Sequence, residues 1–254
     1  MIPYSNTRPP SPRTGYTLPK CYASALADCD QKLSGEHWIS ENVLLQLGTT
    51  LLVTSKKLGG AKKLTPANLD AKILCARHNT ALSPLDACAG TVFRAICEVG
   101  SCLDKDGGRV DVNGHDFEKM LLKTMCGFLA VEKEDIPEPW VRILFAEADL
   151  AQPRGLQLNV RIGDTLPASN DSIVYETVRD KSDKPIGCAL TLRGFRFILS
   201  MNVERLFDLG DLNKQSIVRP RHVRWTHATT GAQFVLGFTF YPGGSDGLSL
   251  KYTP

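Results

Sequence analysis

The chain has 254 residues, 43% of them hydrophobic and 22% charged, with a net charge of +3. That is an ordinary globular composition with room for one large or two modest domains; the charge is too mild to argue for a polyanion partner by itself. No apolar run approaches the roughly 20 residues of a membrane span, and the opening MIPYSNTRPPSPRTGYTLPK lacks the apolar stretch of a signal peptide, so the eight cysteines are expected in a reducing, cytoplasmic setting, as thiols or metal ligands before disulfides.

Residues 1–19 are rich in Pro, Ser and Arg and predict a flexible arm. From Lys20 to about Asp86 large apolar residues are scarce while Cys, Gly and Lys are frequent. A core that thin calls for a staple, which a metal would supply. Within it, ISENVLLQL predicts a helix with Ser40 as N-cap and Glu41 in the first turn. The basic SKKLGGAKKLTPANLDAKIL leads into an apolar strand ending at Cys75. LSPLDACAGTVFRAICEVGSCL then predicts a helix with Ser83 as cap and Pro84 at its first position. RVDVNGHDFEKMLLKTMCGFLA predicts a strand, an Asn-Gly turn and an amphipathic helix, and PEPWVRILFAEADL a further helical piece. After Pro153, segments such as SIVYETVRD and QFVLGFTFYP alternate apolar and polar residues between turn signals, the pattern of a mainly antiparallel sheet. The expected architecture is α+β: an arm at 1–19, a stapled module at 20–95, a helical connection at 96–150 and a β-rich domain at 151–254.

Two short segments carry the chemistry. Cys21 and Cys29 flank YASALAD, and Cys75 and His78 form Cys-x-x-His. Three sulfurs and one imidazole are the tetrahedral donor set of structural zinc. The second pair has knuckle spacing; the first, with seven intervening residues, is longer than usual. Four unrelated residues are the competing reading, since free cysteine is often buried. Glu36-His37 lies between the two pairs, and Asn79 directly follows the second.

The order Cys21, Cys29, Glu36, His37, Cys75, His78, Asn79 resembles the HNH (His-Asn-His) endonucleases, whose core is a ββα-metal, treble-clef unit. The resemblance covers roughly residues 20–95. It implies a structural zinc on Cys21, Cys29, Cys75 and His78, and a separate catalytic Mg2+ or Mn2+ held by Glu36 and Asn79. It also implies His37 as general base and nucleic acid, foremost DNA, as substrate. These residue types suit phosphodiester hydrolysis. A neutral imidazole can take the proton of an attacking water, and a hard cation on oxygen ligands can polarise the phosphate. Neighbours in a flat strand point to opposite faces, so Glu36 and His37 can share a site only on a bulged strand.

The chain departs from the family pattern in three places. Ile39 and then Ser40 stand where a proline often follows the catalytic histidine, His78 replaces a cysteine, and no histidine lies on the following helix, where Asp86 and Ser83 are the nearest oxygen donors. A non-catalytic zinc treble clef that binds nucleic acid or protein is the alternative function.

Outside the module, His115 is expected as an exposed helix-start residue. His222 and His227 flank Trp225 on a basic strand, read as half-exposed, with a base-stacking surface as the rival reading. The lysines of TSKKLGGAKKL suit either a DNA backbone contact or a solvated loop. The β-rich half is left to target reading, a protein partner or oligomer formation. No phosphate-binding glycine loop or nucleophile elbow is present in the sequence.

Overall fold

Period-two alternation produces strands here as expected, and the computed structural model describes residues 3–47, 51–55, 60–146, 157–162, 173–192, 195–201, 217–241, 244 and 247–252. In chain order the elements are β1 (Leu33–His37), α1 (Glu41–Leu47), β2 (Leu51–Ser55), β3 (Gly60–Leu64), β4 (Asp70–Cys75), α2 (Ala76–Leu103) and β5 (Gly108–Asn113). Then come α3 (Gly114–Val131), α4 (Glu138–Leu144), β6 (Gln157–Ile162), β7 (Ile173–Arg179), β8 (Pro185–Leu192) and β9 (Phe195–Ser200). β10 (Ile217–Val218), β11 (His222–His227), β12 (Gln233–Thr239) and β13 (Leu248–Tyr252) follow. The class is α+β. No helix among the described residues is long and apolar enough to cross a membrane.

β1 and β4, though separated in the chain by α1, β2 and β3, form a two-stranded antiparallel sheet, while the remaining strands form sheets ordered β10-β6-β9-β8-β7-β2-β3 and β13-β11-β12-β5. The larger is antiparallel except where β2 meets β7. The smaller has β13 and β5 parallel to their neighbours. Both sheets cross the divisions expected from sequence. β2 and β3 come from residues 20–95 yet extend a sheet built mostly after residue 156, and β5 edges the other. One buried apolar cluster accordingly runs from Cys21 to Phe240. Alternation tells which residues form strands; it is silent on which strand completes whose hydrogen-bond edge.

α2 starts at Ala76, seven residues before the expected start at Ser83, and Pro84 lies inside it. The helix follows β4 without a loop, and the Cys75 sulfur lies 3.5 Å from the His78 backbone nitrogen, within the first turn. Pro84 therefore removes one backbone bond to Thr80 and does not set the boundary. At the other prediction, α1 lies where expected, but the buried Ser40 hydroxyl makes no capping bond.

α3 differs most from expectation. Asn113 is its N-cap, not a hairpin turn; its side chain accepts from the backbone N–H groups of His115 and Asp116. Every residue from Gly114 to Leu129 is buried, so the helix is central and not a half-exposed amphipathic one. Its polar side chains are matched one by one, as burial demands. Asp116 accepts from the Ser5 backbone N–H and hydroxyl, and Lys119 donates to Thr7 Oγ1 at 3.1 Å. Burial lowers Lys119 to about 8. Those contacts explain why residues 3–19 lie along the body and do not hang free as an arm. Arg8 Nε donates to the Ala146 carbonyl, the Thr14 N–H donates to Asp28, and Arg77 bonds the carbonyls of Pro10 and Pro12.

Candidate functional site

The loop from Cys21 to Cys29 is long because it contains a helical turn. Ser24–Leu26 forms a short 3-10 helix closed by Ala27 in the left-handed region, φ 50°. That reversal brings Cys29 back beside Cys21, and Arg77 Nη2 fastens the loop to α2 through Asp28 at 3.2 Å. Cys75 ends β4 and His78 lies in the first turn of α2, so one strand end and one helix start present the other two donors. The four donor atoms lie within 4.8 Å of one another and all four residues are buried. His78 Nδ1 stands 3.1 Å from the Cys75 sulfur, 3.5 Å from that of Cys21 and 3.8 Å from that of Cys29. A zinc tetrahedron with ordinary bond lengths has sulfur–nitrogen edges of about 3.6 Å. The group could hold a metal ion such as zinc.

Electrostatics agree with that fit. The Cys21 thiol, then His78 and the backbone N–H groups of His78 and Asp30, hold the Cys75 sulfur down at about 3. The bond to Cys75, then burial, raises Cys21, and burial raises Cys29. A divalent ion would let all three sulfurs ionise. The His78 ring rests edge-on against Phe145, with centroids 4.7 Å apart.

Beside this cluster the β1–β4 ladder is bulged. It steps from Ser34–Leu74 to Glu36–Ala71, two residues along β1 against three along β4. Gly35 sits at the step; a Cβ there would fall 2.7 Å from Asp70 Oδ1. The irregularity turns two sequence neighbours into one cavity. Glu36, His37, Asn42, Asn79, Asp86 and Lys123 all line a cleft of about 320 Å³. Asn79 Nδ2 donates to the Gly35 carbonyl at 3.0 Å, tying α2 to the bulge.

Lys123 went unrecognised in the sequence. Its Nζ lies 2.6 Å from Asp86 Oδ1 and 2.7 Å from Glu36 Oε1. The Asp86 contact is also a hydrogen bond. The Glu36 contact is poorly aligned and leaves Oε1 without one, but at that distance the Coulombic attraction holds regardless of angle. Burial pushes Glu36 up to about 7, against the pull of Lys123. Burial alone would lower Lys123, but Glu36 and Asp86 together hold it above its usual value. The only sequence trace of this residue is a lysine one turn after Lys119 in an otherwise apolar helical run.

These contacts bear on the Mg2+ or Mn2+ expected at Glu36 and Asn79. Asp86 and Glu36 are hard oxygen donors, but an ammonium fills the point they share. As they stand, the residues do not fit a divalent ion there.

Two of the remaining histidines, His115 and His227, are buried and bonded within the fold. His115 is buried, not exposed: Nδ1 lies 3.0 Å from Glu118 Oε2, and Nε2 accepts the Tyr241 N–H at 3.0 Å. Arg219 Nε completes the Glu118 pairing at 2.8 Å. Trp225 is buried against Phe234, with ring centroids 5.9 Å apart, so β11 offers no stacking platform through it. His227 Nδ1 accepts the N–H groups of Thr229 and Thr230. Lys62 and Lys63 are exposed on β3, while Lys56 and Lys57 lie outside the described residues.

No family model, no curated protein and no solved structure matches the chain. The chemistry of the site alone must carry a functional reading.

Proposed function

We propose that the protein hydrolyses nucleic-acid phosphodiester bonds, DNA foremost, at a site of HNH type, with His37 as general base. The observation that carries this is the arrangement of Glu36, His37 and Asn79 on one open cleft at the bulged β1–β4 pair, whose β4 runs directly into α2. The Cys3His group at the root of that pair is read as a structural zinc site of treble-clef character, fixing β4 and the start of α2 on which the cleft depends. His37 is half-buried at the end of β1, placed to meet a water in the cleft. Asn79 acts by holding the bulge. The sheets after residue 156 are assigned to target or partner binding.

One observation favours the alternative, a zinc module that binds nucleic acid or protein without cleaving it. The cation position between Glu36 and Asp86 is filled by Lys123. Plasmid nicking separates the two, run with and without added Mg2+ or Mn2+ on wild type and His37→Ala. Loss of a general base lowers the rate by about 10² to 10⁴. Equal nicking by both proteins removes His37 from the mechanism, and binding without nicking by wild type favours the non-catalytic module.

A further inference from the structure

We propose that the Lys123 ammonium is the resident cation of this cleft, standing between Glu36 and Asp86 where a divalent ion would stand and excluding it. Resting on the phosphodiesterase reading above, the proposal extends to the reaction: hydrolysis here needs no dissociable divalent ion.

The argument begins with position. Mg2+ binds oxygen at about 2.0–2.1 Å and Ca2+ at about 2.3–2.6 Å. Lys123 Nζ, 2.6 and 2.7 Å from its two carboxylate oxygens, fills the space between them that such an ion would need. The lysine does not reach there by chance of a flexible surface chain. Its side chain is 3% exposed, and it springs from the stretch of α3 from Gly114 to Leu129 in which every residue is buried. One turn further on, Gly127 seats that helix against Trp38, the residue after His37, so closely that a Cβ would fall 2.6 Å from the Trp38 Cβ. Helix position, stem and ammonium are therefore fixed together. A divalent ion entering between Glu36 and Asp86 would have to expel a buried ammonium from two carboxylates, with no other acceptor within bonding distance of it among the described residues.

Function follows from the donor count. An ammonium has three N–H donors. One bonds Asp86, Glu36 adds charge at 2.7 Å, and the cleft that Lys123 lines can offer an oxygen to another. In the reaction a water oxygen bonds to phosphorus while its proton passes to the His37 imidazole. The bond from phosphorus to the 3′ oxygen breaks with its electron pair, and that oxygen takes a proton from Lys123. His37 then releases its proton to solvent and Lys123 regains one, which closes the cycle. Lys123 supplies both the positive charge and the proton that a metal-bound water would otherwise give.

The test is calorimetric titration of Mn2+ into the full chain in chelator-treated buffer, with nicking assays in the same buffer. Wild type, Glu36→Gln and Lys123→Met are compared, and circular dichroism checks that each is folded. Wild type is expected to take up no Mn2+ dependent on Glu36 at millimolar concentration. Lys123→Met, with two bare carboxylates, is expected to bind one Mn2+ about a hundredfold more tightly, the scale of a buried ion pair. Wild-type nicking should change less than about twofold on adding Mg2+, whereas Lys123→Met should nick only when Mg2+ or Mn2+ is added. Uptake of Mn2+ by wild type that Glu36→Gln abolishes overturns the proposal, and this measurement needs no folded Lys123 variant. Wild-type nicking that strictly requires Mg2+ overturns it too. Exclusion of Mn2+ from a wild type that cleaves under no condition upholds the resident cation and defeats the phosphodiesterase reading instead.

Discussion

Gly127 lies against Trp38 at a distance that no side chain permits: a Cβ on it would stand 2.6 Å from the Trp38 Cβ and 3.3 Å from its Cα. Trp38 cannot retreat, because its ring packs edge-on against Phe128 at 5.4 Å and Tyr175 at 6.1 Å. Gly127→Ala gains about 1 kcal/mol of helix propensity, but overpacking against a rigid neighbour costs about 1–3 kcal/mol. The clash here is with backbone as well as side chain, so the loss dominates. Urea unfolding should show a net destabilisation of about 1–2 kcal/mol. An unchanged or raised midpoint would mean that α3 moves freely relative to β1, and that Lys123 is not held as described.

The eight cysteines divide into three in the metal cluster and five outside it. Cys75 is the hub: its sulfur is the nearest of the three to His78 Nδ1, and it accepts the Asp30 N–H at 3.3 Å. Cys75→Ser should abolish bound metal and destabilise the chain by about 4 kcal/mol or more, as loss of a structural metal does. Cys102, half-buried and outside the cluster, is the control, and Cys102→Ser should retain both metal and fold. Elemental analysis beside thermal unfolding reads both, and retention of full metal by Cys75→Ser would break the cluster assignment.

How much of this was legible follows from the range of each interaction. Cys75 and His78 are three residues apart, and their meeting needs only the start of one helix. The convergence of Glu36 and His37 was readable as a condition, a bulged strand, though not as a fact, because the bulge depends on the partner strand β4. Pro84 misled because a proline at a helix start and one inside a helix look alike in sequence, and here β4 and Cys75 decide where α2 begins. Asn113-Gly114 reads as a hairpin by local chemistry, yet the same Asn caps α3, and Gly114 is required by Phe240, whose ring would be 2.3 Å from a Cβ. The buried charges of α3 were out of reach altogether. Lys123 looks like any solvated lysine until Glu36 and Asp86, 87 and 37 residues away in sequence, close around it.

Asn79 gives a test of the β1–β4 pair that is independent of any cation. Its amide is half-buried and donates one bond, to the carbonyl of Gly35 at the bulge. Replacing it by alanine should cost about 1 kcal/mol of stability, the usual worth of such a bond. The effect on the proposed hydrolysis should be larger, about tenfold or more, because Glu36 and His37 take their directions from that bulge. Parallel urea titration and nicking assays compare the two losses. A fall in activity no greater than the fall in stability predicts would leave Asn79 with a purely structural role.

Glu36 makes stability depend on pH in an uncommon direction. Most carboxylates with a cationic partner lose their protons more readily in the fold. Here burial outweighs Lys123 and raises Glu36 from 4.5 to about 7. The unfolded chain releases this proton near 4.5 and the folded chain holds it to about 7, so between those values the native state binds more protons. Stability from this group is then fully present below the unfolded value and is lost as pH rises through the window. The shift corresponds to at most about 3 kcal/mol. Other titratable groups contribute as well, so the wild-type curve alone is a sum. Glu36→Gln isolates the term, since Lys123 stays charged throughout and the amide does not titrate. The expected result is that Glu36→Gln gains on wild type by up to about 3 kcal/mol between pH 4.5 and pH 8 in urea unfolding. A constant difference across that range would mean that Glu36 is already ionised in the fold, with the attraction of Lys123 overcoming burial.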